Sequence, residues 1–164
     1  MDLGTGSGAI GLSLAKERTN WEVVCSDLSY EALKVTSKNM TRNSLDVSLV
    51  NSNWSSAFKN EYFDVIVSNP PYINPSDPRV YSDGLKFEPK QALISDSEGL
   101  YDIETIVKET SEILNNPGHL FIEHGYDQSD LVVSIFERCG FSQIRTFKDL
   151  NGDDRVCLGM LNRC

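Results

Sequence analysis

Phe63-Asp64-Val65-Ile66-Val67-Ser68-Asn69-Pro70-Pro71-Tyr72 (residues 63–72) runs a short apolar strand straight into a turn stiffened by two prolines. A strand with apolar side chains on both faces belongs inside a parallel sheet that is covered by helices on either side. The prolines end it abruptly, because they fix φ and donate no backbone hydrogen bond. In open α/β sheets ligands lie outside the carboxyl ends of the strands, so residues 69–72 are expected to line a crevice.

Outward from this stretch, strand-like and helix-like segments alternate along the chain, the pattern of a parallel sheet with helices on both faces. A helix is expected from about Ser7 to Arg18, with Ile10, Leu14 and Ala15 on one face, and a strand from Trp21 to Ser26. Ser29 caps a helix with Leu33, Thr36 and Met40 at helical spacing, and Val47 to Val50 reads as a short strand. Residues 73–99 are polar, with Pro75, Pro78 and Pro89, and read as a long loop or lid. Ile103, Ile106, Val107, Thr110 and Leu114 mark an amphipathic helix stopped by Asn116-Pro117-Gly118. His119 to Glu123 is a strand, and Leu131, Val132, Ile135 and Phe136 give a last helix closed by Gly140. Phe141 to Lys148 and Arg155 to Leu161, joined by the turn at 151–154, form a closing hairpin, so the final strand is antiparallel to its neighbour. The whole of 1–164 reads as one domain. Met1 stands only three residues before Gly4, too few for a central first strand, so the natural chain is expected to begin further upstream, its first strand truncated here.

A second stretch faces the same crevice. Asp2-Leu3-Gly4-Thr5-Gly6-Ser7-Gly8 lies between the strand stub and the first helix, where glycines let a ligand approach the backbone and the helix N-terminus. Gly6 to Gly11 matches the dinucleotide pattern G-x-G-x-x-G. The run begins one glycine earlier, however, with an acid two positions before it. A carboxylate there repels a diphosphate but suits the cationic amino group of S-adenosyl-L-methionine, held directly or through water. Asp27 ends the second strand, where a carboxylate can accept both ribose hydroxyls of either ligand. The loop alone leaves both ligands open.

The Asn69–Tyr72 turn discriminates between them. Methyl transfer from a sulfonium is an in-line displacement, and an amide or exocyclic amine is a poor nucleophile because its lone pair is delocalised. Two acceptors, the Asn69 side-chain oxygen and the Pro70 carbonyl, can hold its two N–H groups and aim the nitrogen. Pro70 and Pro71 fix those acceptors in advance, and Tyr72 offers a flat face to a planar group. A nicotinamide-dependent oxidoreductase would leave Asn69 to Tyr72 without a task.

Bulk properties narrow the field. The net charge of −9 and the dispersed lysines and arginines argue against gripping nucleic acid directly. No apolar run spans a bilayer, and no secretory pattern opens the chain. Cys25, Cys139, Cys157 and Cys164 are scattered, so neither a metal site nor a disulfide framework is expected, Cys25 and Cys157 read as core filler, and a reducing cytoplasm fits.

With both motifs in view, the chain is similar to the class I methyltransferases. More closely, it resembles the HemK/PrmC family, the release factor glutamine methyltransferases. The likeness rests on DLGTGSGAIGLSLA (2–15), VSNPPYI (67–73), Phe87-Glu88-Pro89, Glu123-His124-Gly125 and Gly152 to Val156, in that order. The resemblance implies a Rossmann-like α/β sheet of order 3-2-1-4-5-7-6 with strand 7 antiparallel. It also implies methylation of the glutamine amide in the Gly-Gly-Gln loop of peptide chain release factors. It assigns cofactor binding to Asp2, Leu3, Gly4, Thr5, Gly6, Gly8 and Asp27, to Asn53 and Trp54 near the adenine, and to Asn69. Asn69, Pro70, Pro71 and Tyr72 are left to hold the glutamine. Asn53 departs from the family, which often has Asp there. The family's N-terminal helical docking domain has no counterpart in these residues. His124 reads as structural, whereas Glu88 and Glu123 are open between substrate contact and support. An adenine-N6 methyltransferase is the alternative reading, since the same turn would hold an exocyclic amine.

Overall fold

The computed structural model describes residues 1–59, 63–78, 89 and 92–163. Seven strands form one sheet: β1 (Asp2–Leu3), β2 (Val24–Asp27), β3 (Ser48–Asn51), β4 (Phe63–Ser68), β5 (Leu114–Glu123), β6 (Phe141–Lys148) and β7 (Asp154–Leu161). Their order is β3-β2-β1-β4-β5-β7-β6, as the resemblance implied. The first five pair in parallel and β7 is antiparallel to both β5 and β6. Helices α1 (Ala9–Glu17), α2 (Tyr30–Arg42), α4 (Tyr101–Ile113) and α5 (Ser129–Arg138) make the connections, with one tight turn, labelled α3 (Asp96–Gly99), that has left-handed φ at Ser97, Glu98 and Gly99.

The core follows the apolar pattern. Leu3, Ile66, Leu120 and Ile122 from the sheet are fully buried against Ile103, Ile106 and Val107 of α4 and Val132 and Phe136 of α5. A smaller cluster of Leu12, Val23, Cys25 and Val47 fills the space under α1. Burial pushes the Cys25 thiol up to about 11 and the Cys157 thiol to about 12, as expected of inert filler.

Several boundaries differ from the sequence reading. The first helix begins at Ala9 rather than Ser7, because Gly6 and Gly8 have φ of 57° and 84° and hold the chain out of helical geometry. It buries Gly11 and Leu12, while Ile10 is turned outward. Trp21 and Glu22 are exposed and lie before β2, whose pairing starts at Val24 opposite Ser48. Leu114 is the first residue of β5, where it pairs with Phe63, so this strand takes in the Asn116-Pro117-Gly118 segment expected to separate it from the helix. Leu131 faces solvent; Val132, Ile135 and Phe136 carry the buried face of α5. The stretch 73–99 is not all loop. Ile73 bridges Ile94 in parallel and α3 follows; residues 79–88 and 90–91, with Phe87 and Glu88, lie outside the described residues. Among the described residues no helix is long and apolar enough to cross a membrane.

Candidate active site

Register builds the site. Leu3 pairs with Ser26 on one side and Ser68 on the other, and Ser68 pairs with Ile122. The residues that follow, Gly4, Asp27, Asn69 and Glu123, therefore emerge side by side at the carboxyl edge. The chain leaves β1 towards β2 and β3, then returns to place β4 on the other side, so this edge is the topological switch point where α/β sheets bind ligands.

The glycine loop is held from three directions. The Asp2 carboxylate is buried, and its Oδ2 accepts from Thr5 Oγ1 at 2.5 Å and from the Gly11 N–H at 2.9 Å. Burial raises its pKa, against the lowering effect of those two bonds. Asp2 Oδ2 is thus engaged by the loop itself. From α2, Thr36 Oγ1 donates to the Gly6 carbonyl and Asn39 Nδ2 to the Ser7 carbonyl. A methyl group on Gly11 would run into Cys25 Sγ, so the third glycine of the G-x-G-x-x-G match serves close packing of α1 on β2.

Asp27 closes the loop from the β2 side. Its Oδ2 accepts from the Gly6 N–H and its Oδ1 from the Ser29 N–H, both at 2.8 Å. Each carboxylate oxygen keeps a further lone pair, so two hydroxyls on adjacent carbons can still be accepted. Among the described residues a Cβ on Gly6 would meet nothing within 4 Å, so open space lies over the loop there. Trp54, at φ 42°, brings its ring against Gly4, where a Cβ would come within 3.0 Å of Trp54 Cζ3. Asn53 beside it is exposed. Gly4, Gly6, Asp27 and Trp54 thus share one edge and fit a nucleoside whose ribose meets Asp27.

Beyond this loop Asn69 is exposed, Pro70 is buried, and Pro71 and Tyr72 are half-buried. Asn69, Pro70 and Tyr72 line a cavity of about 380 Å³ together with Gly125 and Arg155. The Tyr72 hydroxyl donates to Glu123 Oε1 at 2.9 Å. Burial, reinforced by the Glu123 charge, pushes that phenol up to about 12, so Tyr72 is a neutral donor and no base.

His124 is fully buried and its Nδ1 lies 2.8 Å from the Gly125 carbonyl, which fixes the proton on Nδ1. Among the described residues its Nε2 has no hydrogen-bond partner, and burial lowers its pKa, so the ring stays neutral. Two residues to which the sequence reading gave no role stand in the site. Arg155 donates from Nη1 to the His124 carbonyl at 3.2 Å and pairs with Asp149. Gln128 bonds Gly125, Tyr72 and Glu98. For Arg155 the Gly152–Val156 landmark was a signal without a role; for Gln128 the sequence offered none.

A family model for the methyltransferase small domain matches residues 1–83, which hold both the glycine loop and the Asn69–Tyr72 turn. The chain belongs to the methyltransferase small domain family. A curated relative of this methyltransferase domain, the release factor glutamine methyltransferase of Salmonella typhimurium, is 39% identical over 160 residues. That match covers 97% of this chain and 58% of the relative, so the chain spans little more than half of the relative's length. Among solved structures, a methyltransferase from Pyrococcus furiosus superposes with a TM-score of 0.74 at 18% identity, covering 99% of this chain and 74% of its own. A 16S rRNA N2 methyltransferase from T. thermophilus, in complex with AdoMet and guanosine, gives 0.67 at 23% identity, covering 98% of this chain and 36% of its own. At these identities the two structures speak for the fold alone.

Proposed function

We propose that this chain, acting as a single catalytic unit over 1–164, transfers a methyl group from S-adenosylmethionine to the side-chain amide nitrogen of the glutamine in the Gly-Gly-Gln loop of bacterial peptide chain release factors. The observation that carries the reading is the adjacency of Asn69 to Gly4 and Asp27 across paired strands, in a chain similar along nearly its whole length to a release factor glutamine methyltransferase. S-adenosylmethionine suits the edge because Asp27 retains two acceptor positions for the ribose, Gly6 opens on free space and Trp54 offers a ring for the adenine. The methyltransferase small domain match over residues 1–83 supports the same donor.

Bound there, the donor supplies a methyl group on a sulfonium. Asn69 and the Pro70 carbonyl accept the two N–H groups of the amide and turn its nitrogen towards that methyl. Pro70 and Pro71 hold both acceptors still, so little reorganisation is needed when charge develops. Tyr72, kept neutral and tied to Glu123, bounds the amide on one side. No strong base is required, because the nitrogen becomes acidic as it is methylated and its proton leaves to solvent. A release factor substrate puts the work in the cytoplasm, and the charge of −9 suits a protein substrate better than a polyphosphate.

The test is to incubate the protein with S-adenosylmethionine and a release factor and to analyse the digested release factor by mass spectrometry. Gain of one methyl on the Gly-Gly-Gln peptide is expected. Methyl incorporation into DNA or RNA, with none into the release factor, would overturn the glutamine reading in favour of a base amine.

A further inference from the structure

We propose that Gln128 is a positioning residue for the Asn69–Tyr72 turn, its side-chain amide setting where Tyr72, and through it Asn69 and Pro70, stand. The claim rests on the glutamine-methylation reading for what the turn does, and on geometry for how the turn is held.

Gln128 is buried at 6% exposure and all sides of its amide are engaged. Its Oε1 accepts from the Gly125 N–H at 2.7 Å, while Nε2 donates to the Tyr72 carbonyl and to the Glu98 carbonyl, each at 3.1 Å. Turned over, the amide would set its oxygen against two carbonyl oxygens and its NH2 against an N–H. One orientation is therefore enforced. Gly125 lies two residues beyond Glu123, the last residue of β5, so the amide ties the Tyr72 carbonyl to the sheet itself.

The opposite wall is built at some conformational cost. Ser97, Glu98 and Gly99 have φ of 54°, 59° and 85°, a left-handed turn that residues with side chains adopt reluctantly. That turn delivers the Glu98 carbonyl to Gln128. It also lays the Cα of Gly99 so close that an added methyl would strike the Tyr72 carbonyl and Gln128 Nε2. Tyr72 is thus gripped at both ends, its carbonyl by Gln128 and its hydroxyl by Glu123. Because Pro70 and Pro71 have fixed φ, a shift of the Tyr72 carbonyl passes back to the Pro70 and Asn69 acceptors with little damping.

Two substitutions test this. Gln128→Glu keeps size and the acceptor for Gly125 but loses both donors; Gln128→Met keeps volume and loses all three bonds. Each is expected to lower turnover on a release factor by about 10²-fold, the scale of a misplaced reacting group, while the Kd for S-adenosylhomocysteine stays unchanged. Amide exchange should quicken at Ile73 and Ser95, whose N–H groups bond Leu93 and Ile73 beside the turn, and stay as it was in β6 and β7. A merely structural glutamine would instead loosen the whole domain and weaken cofactor binding with it. Wild-type turnover in either variant, unchanged exchange at Ile73 and Ser95, or loosening throughout the domain overturns the proposal. Should the wild-type protein transfer no methyl to the Gly-Gly-Gln loop, the functional reading falls by itself. The exchange pattern then decides the role of Gln128 alone.

Discussion

Asp27→Ala separates the loop anchoring that the structure shows for this carboxylate from the ribose binding proposed for it. In the free protein Asp27 anchors the Gly6 N–H and the Ser29 N–H at 2.8 Å each, and each oxygen keeps a lone pair for the proposed ribose contact. Removing the carboxylate should cost two charge-assisted bonds to the ribose, together about 2–4 kcal/mol, or about 30- to 700-fold in Kd. The Ser29 N–H is exposed and will find water, whereas the Gly6 N–H is partly buried, so a further stability loss of about 1 kcal/mol is expected without any ligand. Calorimetry with S-adenosylhomocysteine reads the first effect and a thermal melt of the free protein reads the second. The 2′,3′-dideoxy analogue completes a double-mutant cycle, because it lacks the hydroxyls that Asp27 would accept. Wild-type and variant proteins should differ little for that analogue and strongly for the parent. A lowered melting temperature with an unchanged Kd, or equal losses for both ligands, would mean that Asp27 only braces the glycine loop.

Asn69→Ala should reduce turnover by about 10²–10³-fold with little change in cofactor affinity, as for removal of one fixed group from a reacting centre, whereas Asn69→Asp, which keeps an acceptor, should retain part of the activity; single-turnover kinetics decide, and a full-rate Asn69→Ala enzyme would reduce the tetrapeptide to a turn. Tyr72, held near 12, is more acidic unfolded than folded, so the stability it contributes is complete below about pH 10 and is lost as pH rises towards 12. Tyrosinate absorbance should show one fewer group ionising late in Tyr72→Phe than in the wild type, and an unaltered alkaline titration would contradict the Glu123 contact. Asp2 also has a raised pKa, so its contribution to stability falls as pH rises through the folded value. Asp2→Asn keeps an acceptor for Thr5 and Gly11, and should flatten that slope between acid and neutral pH in melts. An unchanged slope would show that the buried carboxyl is not the group responsible.

Much of this molecule is local in origin. FDVIVS is a strand because its apolar residues recur on both faces, and β4 occupies Phe63–Ser68 as the pattern requires. The closing strand Phe141–Lys148 and the left-handed Gly140 that ends the helix before it are equally legible, each resting on neighbours a few residues away. The site's ingredients were legible too, since a glycine loop, an acid ending a strand and an Asn-Pro-Pro-Tyr turn each have a chemical reason to be there. Which partners they meet was not. Ile10 and Leu131 are apolar yet face outward, because the glycines of the loop and the approach of α5 set the rotation of each helix, and periodicity alone leaves that rotation free. Asp2 was legible as an acid before the glycine loop, but the bonds its Oδ2 accepts from Thr5 and Gly11 were not. The bonds that hold Tyr72 come from Glu123 and Gln128, 51 and 56 residues further along the chain. Sequence determines elements through burial period and backbone preference, which act within a turn or two. Register across the sheet, and the side chains it brings face to face, depend on how all seven strands pack at once, and only the folded chain decides them.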